Sequence, residues 1–156
     1  MCSSDLRAAF ESVALGQIAE EIAELYEPFA EEKEVHFALD LSAVRTVSGD
    51  RDLLSELLSN LVANAIKFTP AGGRVSLSLA DSADGPVLQV ADTGPGIPPE
   101  QRELVFKRFY RSDASRSVEG YGLGLSLVDA IAKLHGFRIS IEDNRPGCNF
   151  ILRCPP

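Results

Sequence analysis

The sequence is poor in the residues that organise small disulfide-bonded or metal-bound proteins. It has no tryptophan, two histidines and three cysteines in 156 residues. Cys2, Cys148 and Cys154 are odd in number, and none stands in a C-x-x-C pair or another metal-ligand spacing. A complete disulfide framework and a cysteine-based metal site are therefore excluded, and we expect reduced thiols.

Positive charge and long apolar runs are also scarce. Fifteen Lys and Arg residues stand against 23 Asp and Glu, which gives a net charge of −8. This balance excludes a broad basic surface for nucleic acid or anionic lipid, although a local anion site remains compatible with it. No apolar run approaches the roughly 20 residues of a membrane span, and the start "MCSSDLRAAFESVAL" lacks the apolar region of a signal peptide. The sequence predicts a soluble, cytoplasmic protein without direct membrane contact.

The chain does contain enough apolar residues for one buried core. Hydrophobic residues make up 45% of it, as in ordinary globular domains, and its length suits a single domain. Apolar residues recur every three or four positions at Leu15, Ile18, Ile22, Leu25 and Phe29, which predicts an amphipathic helix.

Further helices and strands are predicted along the chain. Asp50 is suited to cap a helix that runs to about Phe68, "EQRELVFKRF" predicts a short helix, and "LGLSLVDAIAKLHG" predicts another that ends at Gly136. The extended segments are "AAFESV", "EVHFALDL", "RTVSGD", "RVSLSLAD", "PVLQVAD", "RISIED" and "CNFILRC". Helices between groups of mostly antiparallel strands predict an α+β fold, in which a mixed sheet carries helices on one face.

The second predicted helix carries an unusual polar stripe. Asn60, Asn64 and Lys67 fall on one side of it, beside the leucine-rich stripe rather than opposite. Asn is a poor helix former because its amide competes for backbone hydrogen bonds. Its side-chain oxygen is a neutral ligand that suits Mg²⁺, and a lysine offers a point charge for phosphates. These residues alone leave open the alternative of surface asparagines on a helix edge.

Two glycine-bearing loops flank predicted elements. In "DTGPGI", Asp92 ends a strand as a possible hydrogen-bond acceptor for an amine, and Gly94 and Gly96 allow the backbone to approach a flat ligand. In "GYGLGLS", residues 120–126, a Gly-rich loop enters a helix, where N–H groups and the helix dipole favour an anion. The spacings of a Walker A motif and of a dinucleotide-binding fingerprint are absent. Each loop taken alone is also compatible with an ordinary turn.

Read in order, four motifs resemble those of one known family. Residues 60–69, 92–97, 105–111 ("VFKRFYR") and 120–125 resemble the N, G1, F and G2 boxes of the sensor histidine kinase ATP-binding domain, a member of the GHKL superfamily. The resemblance extends from about Leu15 to Leu152. It implies a two-layer Bergerat fold with a flexible ATP lid, with ATP and Mg²⁺ as cofactors. It also implies a linker and first strand at 1–13, which follow a missing dimerisation domain, and a catalytic domain at 14–156.

The resemblance also implies a role for individual residues. Asn64 would bind Mg²⁺, Asn60 would support the metal and phosphate end, and Asp92 would accept a hydrogen bond from the adenine amino group. Asn60, Lys67 and Arg111 are the implied catalytic residues. The other implied nucleotide contacts are Gly94, Gly96 and Ile97 around the base, Tyr110 on adenine, Lys67 and Arg111 on phosphate, and Gly122, Leu123, Gly124 and Leu125 through backbone N–H groups. Arg108 and Arg116 are weaker phosphate candidates, whereas Phe106 and Phe109 are expected to anchor the lid to the core.

Two departures from the superfamily pattern shape the expected function. Hydrolysing members resemble one another in placing a glutamate, as general base, one turn before the metal-binding Asn. Here that position is Asn60, whose amide cannot take a proton, and Glu56 is interpreted as a surface residue. A histidine in an H-box context is also missing, because His36 lies in a strand pattern and His135 in the cap region of a helix.

The resemblance therefore implies a protein-histidine kinase domain that acts on another domain. The expected partners are the histidine-bearing dimerisation domain of a parent kinase and a response regulator downstream, with no nucleic acid. The chain itself is expected to be a monomer and to be cytoplasmic, whether alone or as the cytoplasmic portion of a membrane-bound sensor. Two other functions stay open: an anti-sigma-factor-type serine kinase of the same fold, and a nucleotide-gated protein-binding module without catalysis.

Overall fold

The computed structural model describes residues 10–42, 46–107 and 124–155. Within them lie three α-helices, α1 (Leu15–Lys33), α2 (Arg51–Phe68) and α3 (Gly124–His135). The strands are β1 (Glu11–Val13), β2 (His36–Leu41), β3 (Val47–Gly49), β4 (Arg74–Ser82), β5 (Gly85–Asp92), β6 (Arg138–Asp143) and β7 (Cys148–Arg153).

The strands form one mixed sheet and one small ribbon. The sheet has the order β2-β4-β5-β7-β6, in which β2 is parallel to β4 and every other pair is antiparallel. β1 and β3 form a separate antiparallel pair. The helices pack on one face of the sheet, so the predicted α+β class and the mixed, mostly antiparallel sheet are confirmed.

Alternation along β4 and β5 puts one predicted site residue on the helix-covered face. Val75 and Leu77 of β4 are fully buried, and they pair with Asp92 and Val90 of β5. Side chains at every second position of a strand share a face. Asp92 therefore points to the same side as the buried apolar residues, next to the helices, and not to the open side of the sheet.

The predicted apolar stripe of α1 is partly wrong. Ile18 and Ile22 are buried as expected, but Leu25 and Phe29 are 56% and 57% exposed. Ala19, Ala23 and Ala30 are the other buried residues of this helix face. Because the alanines lie to one side of the predicted stripe, the helix rests on them, and Leu25 and Phe29 remain at its solvent edge.

Both ends of α2 are fixed by side chains. Asp50 caps the start, as predicted, because its Oδ1 accepts a hydrogen bond from the Leu53 N–H at 3.0 Å. At the other end the Lys33 ammonium group donates to the Ile66 carbonyl at 2.8 Å and to the Lys67 carbonyl. A cation at a helix C-terminus interacts favourably with the helix dipole. Burial lowers the pKa of Lys33 from its ordinary value.

Some predicted elements differ from the structure or lie outside it. The short helix expected at "EQRELVFKRF" is, in its described part, two 3₁₀ turns, Pro99–Gln101 and Leu104–Phe106. The backbone hydrogen bonds of this segment, from the Gln101 N–H to the Pro98 carbonyl and from the Lys107 N–H to the Leu104 carbonyl, close over three residues rather than four. That is the pattern of 3₁₀ turns and not of an α-helix. The segment "YRSDASRSVEGYG", residues 110–122, whose polar composition and length suit the implied lid, lies outside the described residues. The division at residue 13 stays a prediction. Among the described helices, none is long and apolar enough to cross a membrane.

Candidate nucleotide-binding site

The polar stripe of α2 lies beside the core, as the sequence predicted. Asn60 and Asn64 are half-buried and Lys67 is exposed, whereas the leucines of the adjoining stripe are buried. The Asn60 side-chain Nδ2 donates to the Glu56 carbonyl at 2.9 Å. This bond turns the amide nitrogen toward its own helix and leaves the amide oxygen facing outward. Glu56 is exposed, which confirms its interpretation as a surface residue.

The start of α3 lies against this stripe. A methyl group added to Gly124 would lie 3.2 Å from the Asn60 Oδ1, so the first residue of α3 is close to the polar face of α2. The structure thus brings together part of the first motif and part of the fourth, which are some 60 residues apart in sequence. Leu125, the next residue, packs its side chain against the core.

Asp92 is a buried carboxylate at the end of β5. It is 6% exposed, and its Oδ1 accepts hydrogen bonds from the Gly94 N–H at 2.9 Å and from the Cys148 N–H at 3.3 Å. Burial raises the pKa of Asp92 above its ordinary value, and the two N–H donors oppose that rise. Because both donors bind Oδ1, the second oxygen is the one through which Asp92 can accept from a ligand.

The turn between β6 and β7 supports Asp92 in a way that the sequence did not reveal. Asn144 donates through Nδ2 to the Asp92 carbonyl at 2.6 Å. Gly147, with φ of 104°, packs so tightly on the same carbonyl that a β-carbon would collide with it. The segment "NRPG" signals a hairpin turn, but nothing local in it indicates that this turn contacts residue 92.

The loop after Asp92 is pressed against the end of α2. A β-carbon on Gly94 would lie 2.8 Å from the Phe68 carbonyl oxygen and 3.2 Å from the Asp92 Oδ1. The glycine is thus required by the chain's own backbone, whereas the sequence argument ascribed it to the approach of a ligand. Gly96 has φ of 77° and is half-buried, and the Ile97 carbonyl accepts from the Arg102 Nε at 3.1 Å.

Of the other residues with a predicted role, Phe106 is among those that the structure describes, and the rest are not. Phe106 packs on the core with its ring edge-to-face to Phe150 at 6.3 Å between centroids, as expected for a lid anchor. The other residues with a predicted role that lie outside the described residues are Arg108, Phe109, Tyr110, Arg111, Arg116, Gly122 and Leu123.

The two histidines differ in their surroundings. His36 is an exposed residue of β2, as predicted. His135 is the last residue of α3, but it is 7% exposed and accepts a hydrogen bond from the Asp50 N–H at 3.0 Å. The prediction that His135 lies in the cap region of a helix is confirmed. The sequence did not show that its ring is buried and links the end of α3 to the start of α2.

The donor set of this site suits a metal ion that arrives with phosphates. Among the described residues, no group of three or more His, Cys, Asp and Glu side chains could hold a metal ion. The oxygen donors at the polar stripe are the amides of Asn60 and Asn64. Mg²⁺ keeps several waters and is commonly bound by few protein ligands together with substrate phosphates. These residues therefore fit Mg²⁺ bound to a nucleotide rather than a metal held by the protein alone.

The described cysteines do not contribute donors. Cys148 and Cys154 are buried and free, and burial raises the pKa of each thiol to about 12. A thiol with such a pKa stays protonated at neutral pH and reacts slowly. That the thiols are reduced in the cell stays a prediction.

Sequence comparisons with known proteins find a family model and relatives that cover most of the chain. A family model described as "Histidine kinase-, DNA gyrase B-, and HSP90-like ATPase" matches residues 49–156. The chain is 47% identical over 105 residues to the signal transduction histidine-protein kinase/phosphatase MprB of Mycolicibacterium smegmatis, covering 66% of this chain and 21% of that protein. It is 37% identical over 155 residues to hybrid signal transduction histidine kinase D of Dictyostelium discoideum, covering 94% of this chain and 10% of that protein.

Solved structures that superpose on this chain are also histidine kinases. The mycobacterial sensor histidine kinase MprB superposes with a TM-score of 0.83 at 30% identity, covering 94% of this chain and 97% of that one. The catalytic domain of histidine kinase ThkA superposes with a TM-score of 0.83 at 29% identity, again covering 94% and 97%. The chain spans about a fifth of the MprB proteins that it matches in sequence.

Proposed function

Because the chain belongs to the family of histidine kinase-, DNA gyrase B- and HSP90-like ATPases, we propose that it binds Mg²⁺-ATP and donates the γ-phosphoryl group to a histidine on another domain. Its similarity to histidine kinase catalytic domains along nearly the whole chain supports the choice of this reaction among those of the family. The acceptor domain and the response regulator that would follow it are part of the proposal.

The observation that carries ATP recognition is the buried carboxylate of Asp92. Its position is fixed by the N–H groups of Gly94 and Cys148 on Oδ1, and its carbonyl is fixed by Asn144. In the proposal, the second oxygen accepts from the amino group of adenine. Guanine carries a carbonyl oxygen at that place, so two acceptors would face each other and GTP would be rejected. Gly94, Gly96 and Ile97 would border the base, and Tyr110 would pack on it.

The polar stripe of α2 would hold the phosphates and the metal. Asn64 is proposed to bind Mg²⁺, while Asn60 supports that end and Lys67 contacts phosphate. When bound, Mg²⁺ neutralises charge on the β- and γ-phosphates. N–H groups at the start of α3, near Gly124 and Leu125, would bind phosphate oxygens at the positive end of the helix dipole. Gly122, Leu123 and Arg111 are proposed to complete this set.

The side chain at position 60 favours phosphoryl transfer over hydrolysis. Asn60 is held by the Glu56 carbonyl with its amide oxygen toward Gly124, and an amide cannot deprotonate water. In transfer to histidine, an imidazole nitrogen forms the new N–P bond as the bond from the γ-phosphorus to the β,γ-bridging oxygen breaks, and ADP leaves. Positioning and charge stabilisation supply most of the catalysis of such a step, so the site needs no base for water.

The proposal is tested by binding and by the chemical nature of the product. ATP and GTP are titrated with and without Mg²⁺ while phosphate release is followed, and the chain is then mixed with the histidine-bearing domain of an MprB protein and labelled ATP. We expect Mg²⁺-dependent binding of ATP, little binding of GTP, very slow phosphate release and an acid-labile phosphoramidate on the added domain.

Each other outcome identifies a different function. Rapid phosphate release would show that the inference from Asn60 is wrong. An acid-stable phosphoester on a partner would indicate the serine kinase alternative. ATP-dependent complex formation without any product would favour the protein-binding module.

A further inference from the structure

Helix α3 lies antiparallel to the first half of α2 and meets it at two places. Gly124, the first residue of α3, is next to Asn60, and His135, the last, is next to Asp50. At 1.5 Å per residue, the stretches from Asp50 to Asn60 and from Gly124 to His135 are each about 15 Å long. One meeting point belongs to the proposed phosphate site, and the other lies a full helix length away from it.

At the contact that is distant from the proposed phosphate site, the buried imidazole of His135 has a defined tautomer. The His135 Nε2 accepts from the Asp50 N–H at 3.0 Å, and the His135 Nδ1 lies 2.8 Å from the Ile131 carbonyl oxygen. A carbonyl can only accept, so Nδ1 carries the hydrogen and Nε2 carries the lone pair. A β-carbon on Gly49 would lie 2.7 Å from the His135 ring, which shows how closely the chain before α2 packs on it.

The His135 imidazole also contacts the segment of residues 10–13, which precedes α1 and is called the entering segment below. Phe10 stacks on the His135 ring with 4.5 Å between centroids and an interplanar angle of 16°. Three residues later β1 ends, and its Glu11 and Val13 pair with Gly49 and Val47 of β3. β3 leads directly into the Asp50 cap of α2. The entering segment, the start of α2 and the end of α3 are therefore held together around one side chain.

We propose that His135 is a positioning residue for the nucleotide site. By binding the Asp50 N–H, it fixes the first turn of α2 against the last turn of α3, and the packed helices carry that alignment to the gap between Asn60 and Gly124. Through its stack on His135, Phe10 makes this gap depend on the position of the entering segment. The effect on ATP rests on the proposed function, whereas the alignment of the two helices does not.

The test compares two substitutions of His135 with a core substitution elsewhere. His135→Leu removes the acceptor, and His135→Gln retains one, because the glutamine side-chain oxygen reaches about as far as Nε2. Ile151→Val is the matched control, since Ile151 is buried but lies on β7 between Gln89 and Ser140, on the sheet face away from the helices. Each variant is studied for ATP affinity by calorimetry. The NMR signals of the Asn60 side-chain amide and the Gly124 backbone amide are followed without nucleotide.

We expect His135→Leu to weaken ATP binding roughly tenfold and His135→Gln to stay within about threefold of the wild type, since one hydrogen bond separates them. The Asn60 and Gly124 signals should shift in His135→Leu and remain in place in Ile151→Val. Phe10→Ala keeps the imidazole and should move the same two signals in the same direction, which retains a test if His135→Leu does not fold.

Two results would overturn the proposal. One is that His135→Leu and Ile151→Val affect ATP binding equally, and the other is that neither His135→Leu nor Phe10→Ala moves the Asn60 and Gly124 signals. If the wild type binds no ATP, the proposed function fails, but the two NMR signals still decide whether His135 aligns the helices.

Discussion

The two ends of the candidate site are held in place by different kinds of contact. At the Asp92 end, a buried carboxylate is held by the backbone N–H groups of Gly94 and Cys148, and a backbone carbonyl lies close behind the loop. At the Asn60 end, the polar side chains of α2 are half-buried or exposed, and the Asn60 amide lies against Gly124 at the start of α3. The first end is fixed by main-chain contacts and the second by the relative placement of two helices.

This difference suits different tasks in the proposed reaction. Recognition of one base requires a rigid acceptor, because a hydrogen bond that can adjust would also accept the wrong partner. Transfer of a phosphoryl group requires that the phosphates be placed against an incoming nucleophile, and the packing of α3 on α2 sets the gap between Asn60 and Gly124 where the proposal puts the phosphates. The predictions below test this division by changing one end at a time.

The largest effect is expected from Asp92→Asn. The amide oxygen can keep the bonds from Gly94 and Cys148, but an NH₂ group then replaces the oxygen that would accept from adenine. Two donors would face each other, and we expect ATP affinity to fall about 100-fold. Calorimetric titration of ATP measures it. Asp84→Asn, a change in the exposed β4–β5 turn, is the control, and an equal loss there or no loss at Asp92 would contradict the assignment.

Gly94 and Gly124 lie at opposite ends of the site, and their substitution by alanine should reduce stability and ATP affinity by different amounts. In Gly94→Ala the new β-carbon meets the Phe68 carbonyl at 2.8 Å, and backbone has little room to move, so we expect roughly 1–3 kcal/mol of lost stability and about tenfold weaker ATP binding. In Gly124→Ala the new β-carbon meets, among the described residues, only the Asn60 side chain, at 3.2 Å.

A side chain can move aside, and alanine is a better helix former than glycine. Gly124→Ala should therefore keep the free energy of unfolding within about 0.5 kcal/mol and weaken ATP binding by about threefold. Urea unfolding and ATP titration of both variants measure the contrast. Equal losses of stability would show that the two ends are equally rigid.

A smaller effect is expected at the exposed lysine of the polar stripe. Lys67→Gln should weaken ATP binding about fivefold at low salt, and less at high salt, because an exposed charge is screened. Adenosine, which lacks phosphates, should bind wild type and variant alike. Arg138→Gln removes an exposed cation from β6 and should leave ATP binding unchanged. A loss of adenosine binding in Lys67→Gln would place Lys67 at the wrong end of the site.

The smallest effect is the pH dependence of stability that Asp92 contributes. Burial raises its pKa in the folded state, so its contribution to stability is present below its ordinary pKa and is lost as pH rises through the folded-state pKa. Asp92→Asn has no such titration. The melting temperatures of the two proteins should thus be similar in acid and diverge toward neutral pH, where the variant becomes the more stable. A wild type that is more stable than the variant at neutral pH would contradict this sign.

A structural feature could be predicted from the sequence when the residues that determine it are close together in the chain, and not when they are far apart. The Asp50 cap and the placement of Asn60, Asn64 and Lys67 beside the leucines follow from residues within one helix, and both were predictable. The exposure of Leu25 and Phe29 depends on which neighbours α1 rests upon, which periodicity alone does not contain. The support of Asp92 by Asn144 and Cys148 joins residues more than 50 positions apart. The roles of Asn64, Lys67 and Arg111 stay predictions.

The parallel pairing of β2 with β4 has a consequence for the order in which the chain assembles. Parallel neighbours require the chain to cross the sheet between them, and α2 makes that crossing between Leu41 and Arg74. The helix with the asparagines is therefore placed as soon as these strands pair, whereas Asp92 gains Asn144 and Cys148 only after the C-terminal hairpin docks on β5. Pulsed hydrogen exchange during refolding should show protection of α2 before the Cys148 amide. A domain caught midway would then have the helix of the proposed phosphate site in place and the Asp92 carboxylate unsupported, so under the proposed function selectivity for the nucleotide would be the last property acquired in folding.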